Sequence, residues 1–99
     1  MKVTFRESGG YAGLIRGCEL DTDSFPPDEA VELQSLVEQS GILQAKGGRT
    51  PNARDLLNYE ITVETSERVH RVSFDDMTLP ESAVSLLDYL QSRAQPQTQ

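Results

Sequence analysis

The stretch Leu57–Glu64 reads Leu-Asn-Tyr-Glu-Ile-Thr-Val-Glu and indicates the fold class most clearly. Apolar or aromatic side chains occupy every second position, and polar side chains lie between them. A period of two is typical of a β-strand with one face on a core and the other in water. We therefore predict a strand here that is covered on one side only.

The residues that follow this stretch complete a hairpin. Thr65–Glu67 is a plausible turn, and Arg68–Phe74 returns as a second strand with His70, Val72 and Phe74 on one side.

A second hairpin opens the chain. Lys2–Glu7 alternates in the same way, and Leu14–Asp21 predicts the returning strand. Arg16 would fall on the apolar face of that strand. A bulge or a close backbone approach at Gly17 would turn Arg16 outward.

A helical pattern follows each hairpin. Apolar residues recur at helical spacing in Pro27–Ser40, and Gly41 suits a left-handed C-cap. The second helix extends to about Arg93, with Thr78 as its N-cap and Glu81 three residues later, as in a capping box.

The order of elements, ββαββα, predicts an α+β domain. Its simplest closure is a four-stranded antiparallel sheet with both helices packed on one face. Residues 1–94 would form a single domain and residues 95–99 a flexible C-terminal tail. The polar connection 42–54 is long for a compact domain, which favours a functional or mobile loop.

Composition excludes several classes of partner. The 99 residues include nine Lys or Arg and sixteen Asp or Glu, for a net charge of −7. An acidic surface repels phosphate backbones, so we expect no nucleic-acid partner. No run approaches the ~20 apolar residues of a membrane span, and no signal peptide is recognisable. We expect a soluble, cytoplasmic monomer.

The residues that usually carry catalysis are few. His70 is the single histidine and Cys18 the single cysteine, which is too few for a zinc site. Cys18 reads as a small buried hydrophobe. Asp75 and Asp76 could hold a proton or a metal, but adjacent carboxylates at a strand end are usually solvated. We therefore predict a non-enzyme without metal or cofactor.

The acidic residues before the first helix begin like a calcium loop. Asp21 and Asp23 have the spacing of an EF-hand, but Phe25 replaces the third ligand and the turn glycine is absent. We interpret these carboxylates as helix caps.

A glycine-rich loop separates the first two strands. It consists of Ser8, Gly9, Gly10, Tyr11, Ala12 and Gly13. Three glycines in six positions give backbone freedom around one aromatic side chain. The residues leave two interpretations open: a flexible hairpin connection, or a loop whose thin backbone offers Tyr11 to the cleft of a partner.

The segment Lys2–Leu14 resembles the opening of the emfourin family, which are proteinaceous inhibitors of protealysin and other thermolysin-like zinc metalloproteases. Its most specific part is the Ser-Gly-Gly-aromatic-Ala-Gly motif between two strands. Other stretches extend the resemblance over nearly the whole chain: Leu20–Thr22, Pro27–Ala30, Ala53–Val63, Phe74–Asp76 and Leu79–Pro80.

The resemblance implies a bacterial inhibitor whose 8–13 loop blocks the active-site cleft of such a protease. Tyr11 would fill the apolar pocket that follows the cleaved bond, and backbone carbonyls or the Ser8 hydroxyl would approach the catalytic zinc. Residues at the sheet ends would add contacts at the rim of the cleft; these are Met1, Lys2, Ser66 and Glu67.

An alternative function belongs to another class. The chain would then be a small regulatory domain that binds a different protein through the exposed sheet face, which carries Asn58, Glu60, Thr62 and Glu64. Titration of a thermolysin-like peptidase distinguishes the two functions.

Overall fold

A computed structural model describes residues 1–9, 15–48 and 56–96 of the chain. The strands and helices follow one another as β1 Lys2–Gly9, β2 Arg16–Asp21, α1 Pro27–Ser40, β3 Leu57–Glu64, β4 Val69–Asp75, α2 Val84–Arg93 and β5 Gln95–Pro96. Short 3-10 turns, Thr22–Ser24 and Glu81–Ala83, precede the two helices.

All strand pairs are antiparallel, and their order across the sheet is β4-β3-β1-β2-β5. The predicted α+β class and antiparallel sheet are confirmed. The strand number was wrong, because the sheet has five strands and a strand follows the second helix. Strand β1 lies in the middle, paired with β2 along one edge and with β3 along the other.

The additional strand, β5, lies where the sequence predicted the start of a flexible tail. Gln95 pairs with Gly17, and Pro96 pairs with Arg16. Proline is tolerated there because an edge strand needs no donor on its outer side. Residues 97–99 of the predicted tail lie outside the described residues.

One face of the sheet carries the core. Val3 and Phe5 of β1 are fully buried and lie opposite Val63 and Ile61 of β3. Both helices contribute apolar side chains to the same cluster, namely Leu33, Val37, Leu86, Leu87 and Leu90. The predicted packing of both helices on one sheet face is therefore observed.

Helix α1 has the predicted bounds, Pro27–Ser40, and ends at Gly41, whose φ of 74° is left-handed as predicted. Asp21 accepts a hydrogen bond from the Asp23 amide at 2.9 Å and caps the 3-10 turn, in agreement with the capping interpretation.

The predicted capping box at Thr78 and Glu81 was wrong. Helix α2 begins at Val84, after a 3-10 turn that follows Pro80, and no side chain caps either element. The Thr78 hydroxyl is occupied elsewhere, because it accepts a hydrogen bond from the Asp75 amide and donates one to the Gly48 carbonyl, both at 3.0 Å. Thr78 thus joins the turn after β4 to a distant segment.

The predicted bulge at Gly17 was also wrong. The register of β1 and β2 runs without interruption from Lys2–Asp21 to Glu7–Arg16. Arg16 remains on the helix-covered side and is exposed because it lies at the end of the sheet.

The described part of the 42–54 connection packs against the sheet. Ile42 is fully buried, and the Gly48 amide donates to the Ser73 carbonyl of β4 at 3.0 Å. The functional or mobile character predicted for this loop is untested for residues 49–55, which lie outside the described residues.

Across the described ranges, no helix is both long enough and apolar enough to cross a membrane.

We predict that Thr78→Val lowers the free energy of unfolding by about 1–3 kcal/mol, because the partly buried Asp75 amide and Gly48 carbonyl both lose a partner. Urea denaturation monitored by circular dichroism measures the change. Thr4→Val is the matched control, since Thr4 is exposed on the uncovered face of the sheet. We expect the control to change stability by about 0.5 kcal/mol or less. Equal stability of the two variants would contradict a bridging role for Thr78.

Candidate functional site

The glycine-rich loop leaves the sheet from its central strand. Strand β1 ends at Gly9, which pairs with Leu57, and β2 begins at Arg16, which pairs with Glu7. We call this part of the molecule the loop end; it comprises the ends of the four long strands at Gly9, Arg16, Leu57 and Asp75. Ser8 and Gly9 belong to β1, whereas Gly10, Tyr11, Ala12 and Gly13 lie outside the described residues.

Gly9 is required at the point where the chain leaves the sheet. Its φ of 96° is a backbone conformation that side chains rarely adopt. A Cβ at this position would lie 2.8 Å from the carbonyl oxygen of Leu56, which is backbone and has little room to move. Both the torsion angle and the available space therefore select glycine.

The stem of the loop is attached to the C-terminal part of α2. The buried Glu7 carboxylate accepts a hydrogen bond from Gln91 Nε2 at 2.7 Å. On the adjacent strand, Arg16 Nη2 donates to the Ala94 carbonyl at 3.2 Å. Glu7 and Arg16 face each other across the two strands, so α2 and the residue that follows it hold both strands of the hairpin stem.

A carboxylate joins β3 to the turn after β4. Asp76 accepts hydrogen bonds from the Leu57 amide, at 3.0 Å, and from the Tyr59 hydroxyl. The Tyr59 ring stacks on Phe5, with 6.5 Å between ring centroids. Burial and the hydrogen bond to Asp76 both raise the pKa of Tyr59. Asp76 thus connects the loop end to the core.

The neighbouring carboxylate, Asp75, is 2% exposed. The sequence had suggested a solvated side chain, so this expectation was wrong. It accepts hydrogen bonds from the amides of Met77 and Thr78, at 2.9 and 3.0 Å. Its neighbour Asp76 accepts hydrogen bonds from Leu57 and Tyr59. The two carboxylates therefore fix the turn that follows β4.

Met77, in the same turn, is an exposed apolar side chain that sequence reasoning missed. It is 71% exposed, while its amide is held by Asp75. The sequence signal was weak, because a methionine after two aspartates shows neither alternation nor helical spacing.

The structure does not bring the predicted rim residues to the loop end. Met1 and Lys2 lie at the opposite end of β1, and the turn with Ser66 and Glu67 lies beside them, because Lys2 pairs with Glu64. Strands rise about 3.3 Å per residue, so β1 separates the two ends by roughly 23 Å.

The residues of the alternative function lie on the sheet face opposite the core. Asn58, Glu60 and Thr62 are partly exposed and Glu64 is exposed, as their alternation predicted. Both helices pack on the other face, so this one is accessible.

The side chains considered for catalysis are dispersed. Burial raises the pKa of the Cys18 thiol, which lies 3.7 Å from the Leu90 carbonyl, so the thiol stays protonated at neutral pH. His70 shares the core face with Val72 and Phe74, as predicted, and its Nε2 is buried. Across residues 1–9, 15–48 and 56–96, no three His, Cys, Asp or Glu side chains group in a way that could hold a metal ion.

A family model described as Emfourin matches residues 5–91, most of the chain. No curated protein and no solved structure matches the chain.

We predict that Tyr59 ionises well above the ordinary tyrosine range near pH 10, because burial and Asp76 favour the neutral phenol. The folded-state pKa is raised, so its contribution to stability is complete below about pH 10 and is lost as the pH rises further. Absorbance at 295 nm, as the difference between the wild type and Tyr59→Phe, measures the ionisation.

Asp76→Asn should lower the Tyr59 midpoint, since it removes the negative charge beside the phenol. An unchanged midpoint in this variant would show that Asp76 does not govern Tyr59.

We predict that Gly9→Ala destabilises the protein more than Gly41→Ala. Both glycines have positive φ, so both variants lose about 1–2 kcal/mol from backbone strain. Only Gly9 is crowded by backbone, since the nearest atom to a Cβ on Gly41 is Ser82 Oγ at 3.9 Å. Urea denaturation of both variants gives their free energies of unfolding, whose difference isolates the steric effect. A smaller loss of stability in Gly9→Ala than in Gly41→Ala would contradict steric crowding at Gly9.

Proposed function

Because this chain belongs to the emfourin family, we propose that it is a proteinaceous inhibitor of a thermolysin-like zinc metalloprotease. The family match over residues 5–91 is the observation that carries the proposal. The chain would act by binding rather than by catalysis, with its 8–13 loop in the active-site cleft of the protease.

The construction of the loop end supports this mechanism. A segment that enters a cleft loses conformational entropy, and a rigid support reduces that loss. Here the stem is held on both strands, by Gln91 of α2 on Glu7 and by Ala94, the residue after α2, on Arg16. Since β1 is paired on both edges, the support extends across the sheet.

Tyr11 is the proposed anchor. Tyrosine is enriched among the few residues that dominate interface energies, because one side chain combines a large apolar area with a polar tip. The resemblance to the family implies an apolar pocket beyond the cleaved bond as its destination. Two residues before Tyr11, Gly9 lies so close to the Leu56 backbone that no Cβ would fit. Ser8 or the loop carbonyls would then lie closest to the catalytic zinc.

The rim contacts that we propose differ from those predicted from the sequence. Met1, Lys2, Ser66 and Glu67 lie at the other end of β1 and are not part of the proposed footprint. Met77 takes their place, because it is exposed and belongs to the turn that Asp75 and Asp76 fix at the loop end.

We predict that Tyr11→Ala weakens inhibition about 30- to 1,000-fold, corresponding to ~2–4 kcal/mol of binding free energy. Inhibition constants for protealysin-type and thermolysin-type peptidases measure the loss. Tyr11→Phe should retain most of the affinity if the ring fills an apolar pocket. Ser66→Ala, at the opposite end of the sheet, is the control and should inhibit like the wild type.

Urea denaturation of Tyr11→Ala verifies that the variant is folded. Full inhibition by a folded Tyr11→Ala would remove Tyr11 from its role as anchor. Peptidases that stay fully active with equimolar wild-type protein would contradict the inhibitor function and favour the alternative, a regulatory domain that binds another protein.

A further inference from the structure

A groove lies on the uncovered sheet face beside the loop end. Its volume is about 820 Å³, and its floor includes Ser8 of β1, Asn58 of β3 and Ser73 of β4. Ile15, the first described residue after the glycine-rich loop, also lines it. A partner held by that loop would therefore have its adjacent surface over this groove.

The groove is basic, although the protein as a whole is acidic. Among the described residues, Arg6, Lys46 and Arg71 line it against a single carboxylate, Glu60, whereas the whole chain has a net charge of −7. Arg71 Nε lies 4.0 Å from Glu60, so these two charges offset each other. Arg6 and Lys46 are exposed, and within the described ranges neither forms an ion pair.

The backbone next to Lys46 is held by contacts of the two glycines that follow it. The Gly48 amide donates to the Ser73 carbonyl at 3.0 Å, and a Cβ on Gly47 would lie 2.5 Å from that same oxygen. The Thr78 hydroxyl donates a hydrogen bond to the Gly48 carbonyl at 3.0 Å. This close packing makes the segment a wall of the groove and keeps Lys46 beside β4.

The opposite half of the same sheet face is acidic. There Lys2 pairs with Glu19 at 3.2 Å, and Glu64 and Asp21 lie close enough to raise the pKa of Lys2 further. At the loop end, by contrast, the described lining of the groove carries three cations and Glu60. The carboxylates of the adjoining turn, Asp75 and Asp76, accept hydrogen bonds from amides and from the Tyr59 hydroxyl. An acidic ligand would be attracted to one half of the face and repelled by the other.

We propose that the groove binds a carboxylate-rich, extended segment of the protease that the 8–13 loop engages. The proposal rests on the proposed function for the identity of the partner. Charge complementarity selects an acidic segment, and its main effects are on orientation and association rate. Arg6 and Lys46 make the decisive contacts, because both are exposed and neither is ion-paired with another described residue.

The first experiment measures the association rate with an inhibited peptidase as a function of salt. We expect the double variant Arg6→Ala/Lys46→Ala to associate about three- to tenfold more slowly at low ionic strength and to depend less on salt. The control is Lys2→Ala/Arg68→Ala, which removes two positive charges near the opposite end of the sheet. Equal rates for the two double variants would overturn the proposal, because net charge alone would then explain the effect.

The second experiment needs no protease. Hexaglutamate is titrated into the isotope-labelled protein, and amide shifts are followed by NMR. We expect shifts at Ser8, Asn58 and Ser73 that are lost in Arg6→Ala/Lys46→Ala, kept in the control variant and absent with hexaglutamine. If these shifts are absent, the proposal that the groove binds an acidic segment is wrong, whether or not the protein inhibits a peptidase. Shifts without inhibition of any peptidase support the groove as an acidic-segment site and overturn the inhibitor function alone.

Discussion

Hydrogen bonds along both edges of β1 are the constraint on which the rest of the structure depends. The strand pairs with β2 from Lys2 to Glu7 and with β3 from Lys2 to Gly9. Its alternation directs Val3 and Phe5 into the core and leaves Arg6 and Ser8 on the uncovered face. The core, the exit of the glycine-rich loop and the floor of the basic groove are therefore set by the register of one strand.

Elements with strong local signals could be predicted from the sequence almost to the residue. Leu57–Glu64 alternates so regularly that both ends of β3 are correct. Pro27–Ser40 is bounded by proline at one end and a left-handed Gly41 at the other, so α1 is also correct. In both cases the decisive information lies within a few residues of the element, where torsion preferences and side-chain periodicity act directly.

The predictions that were wrong share a different cause, which is contact between residues that are distant in the chain. Thr78 has the sequence context of a cap, but its hydroxyl serves Gly48, thirty positions earlier. A bulge was predicted beside Arg16, but the strand register is regular there. The Arg16 guanidinium instead donates a hydrogen bond to the carbonyl of Ala94, which follows α2. In the candidate site, the glycine content predicted that Ser8 and Gly9 begin the loop, but both belong to β1, because their pairing with Asn58 and Leu57 extends the strand. The remoteness of Ser66 from the loop end follows from strand order, which no local pattern encodes.

The central position of β1 also determines how the molecule bears force. A partner that pulls on the loop pulls along the axis of β1, whereas the hydrogen bonds of antiparallel strands run perpendicular to that axis. Because the loop joins β1 to β2, both strands are pulled together, and the ladder between β1 and β3 carries the tension as shear. No single hydrogen bond of that ladder must then break first, as it would in unzipping. A complex held by this loop would therefore separate at its interface while the sheet stays intact.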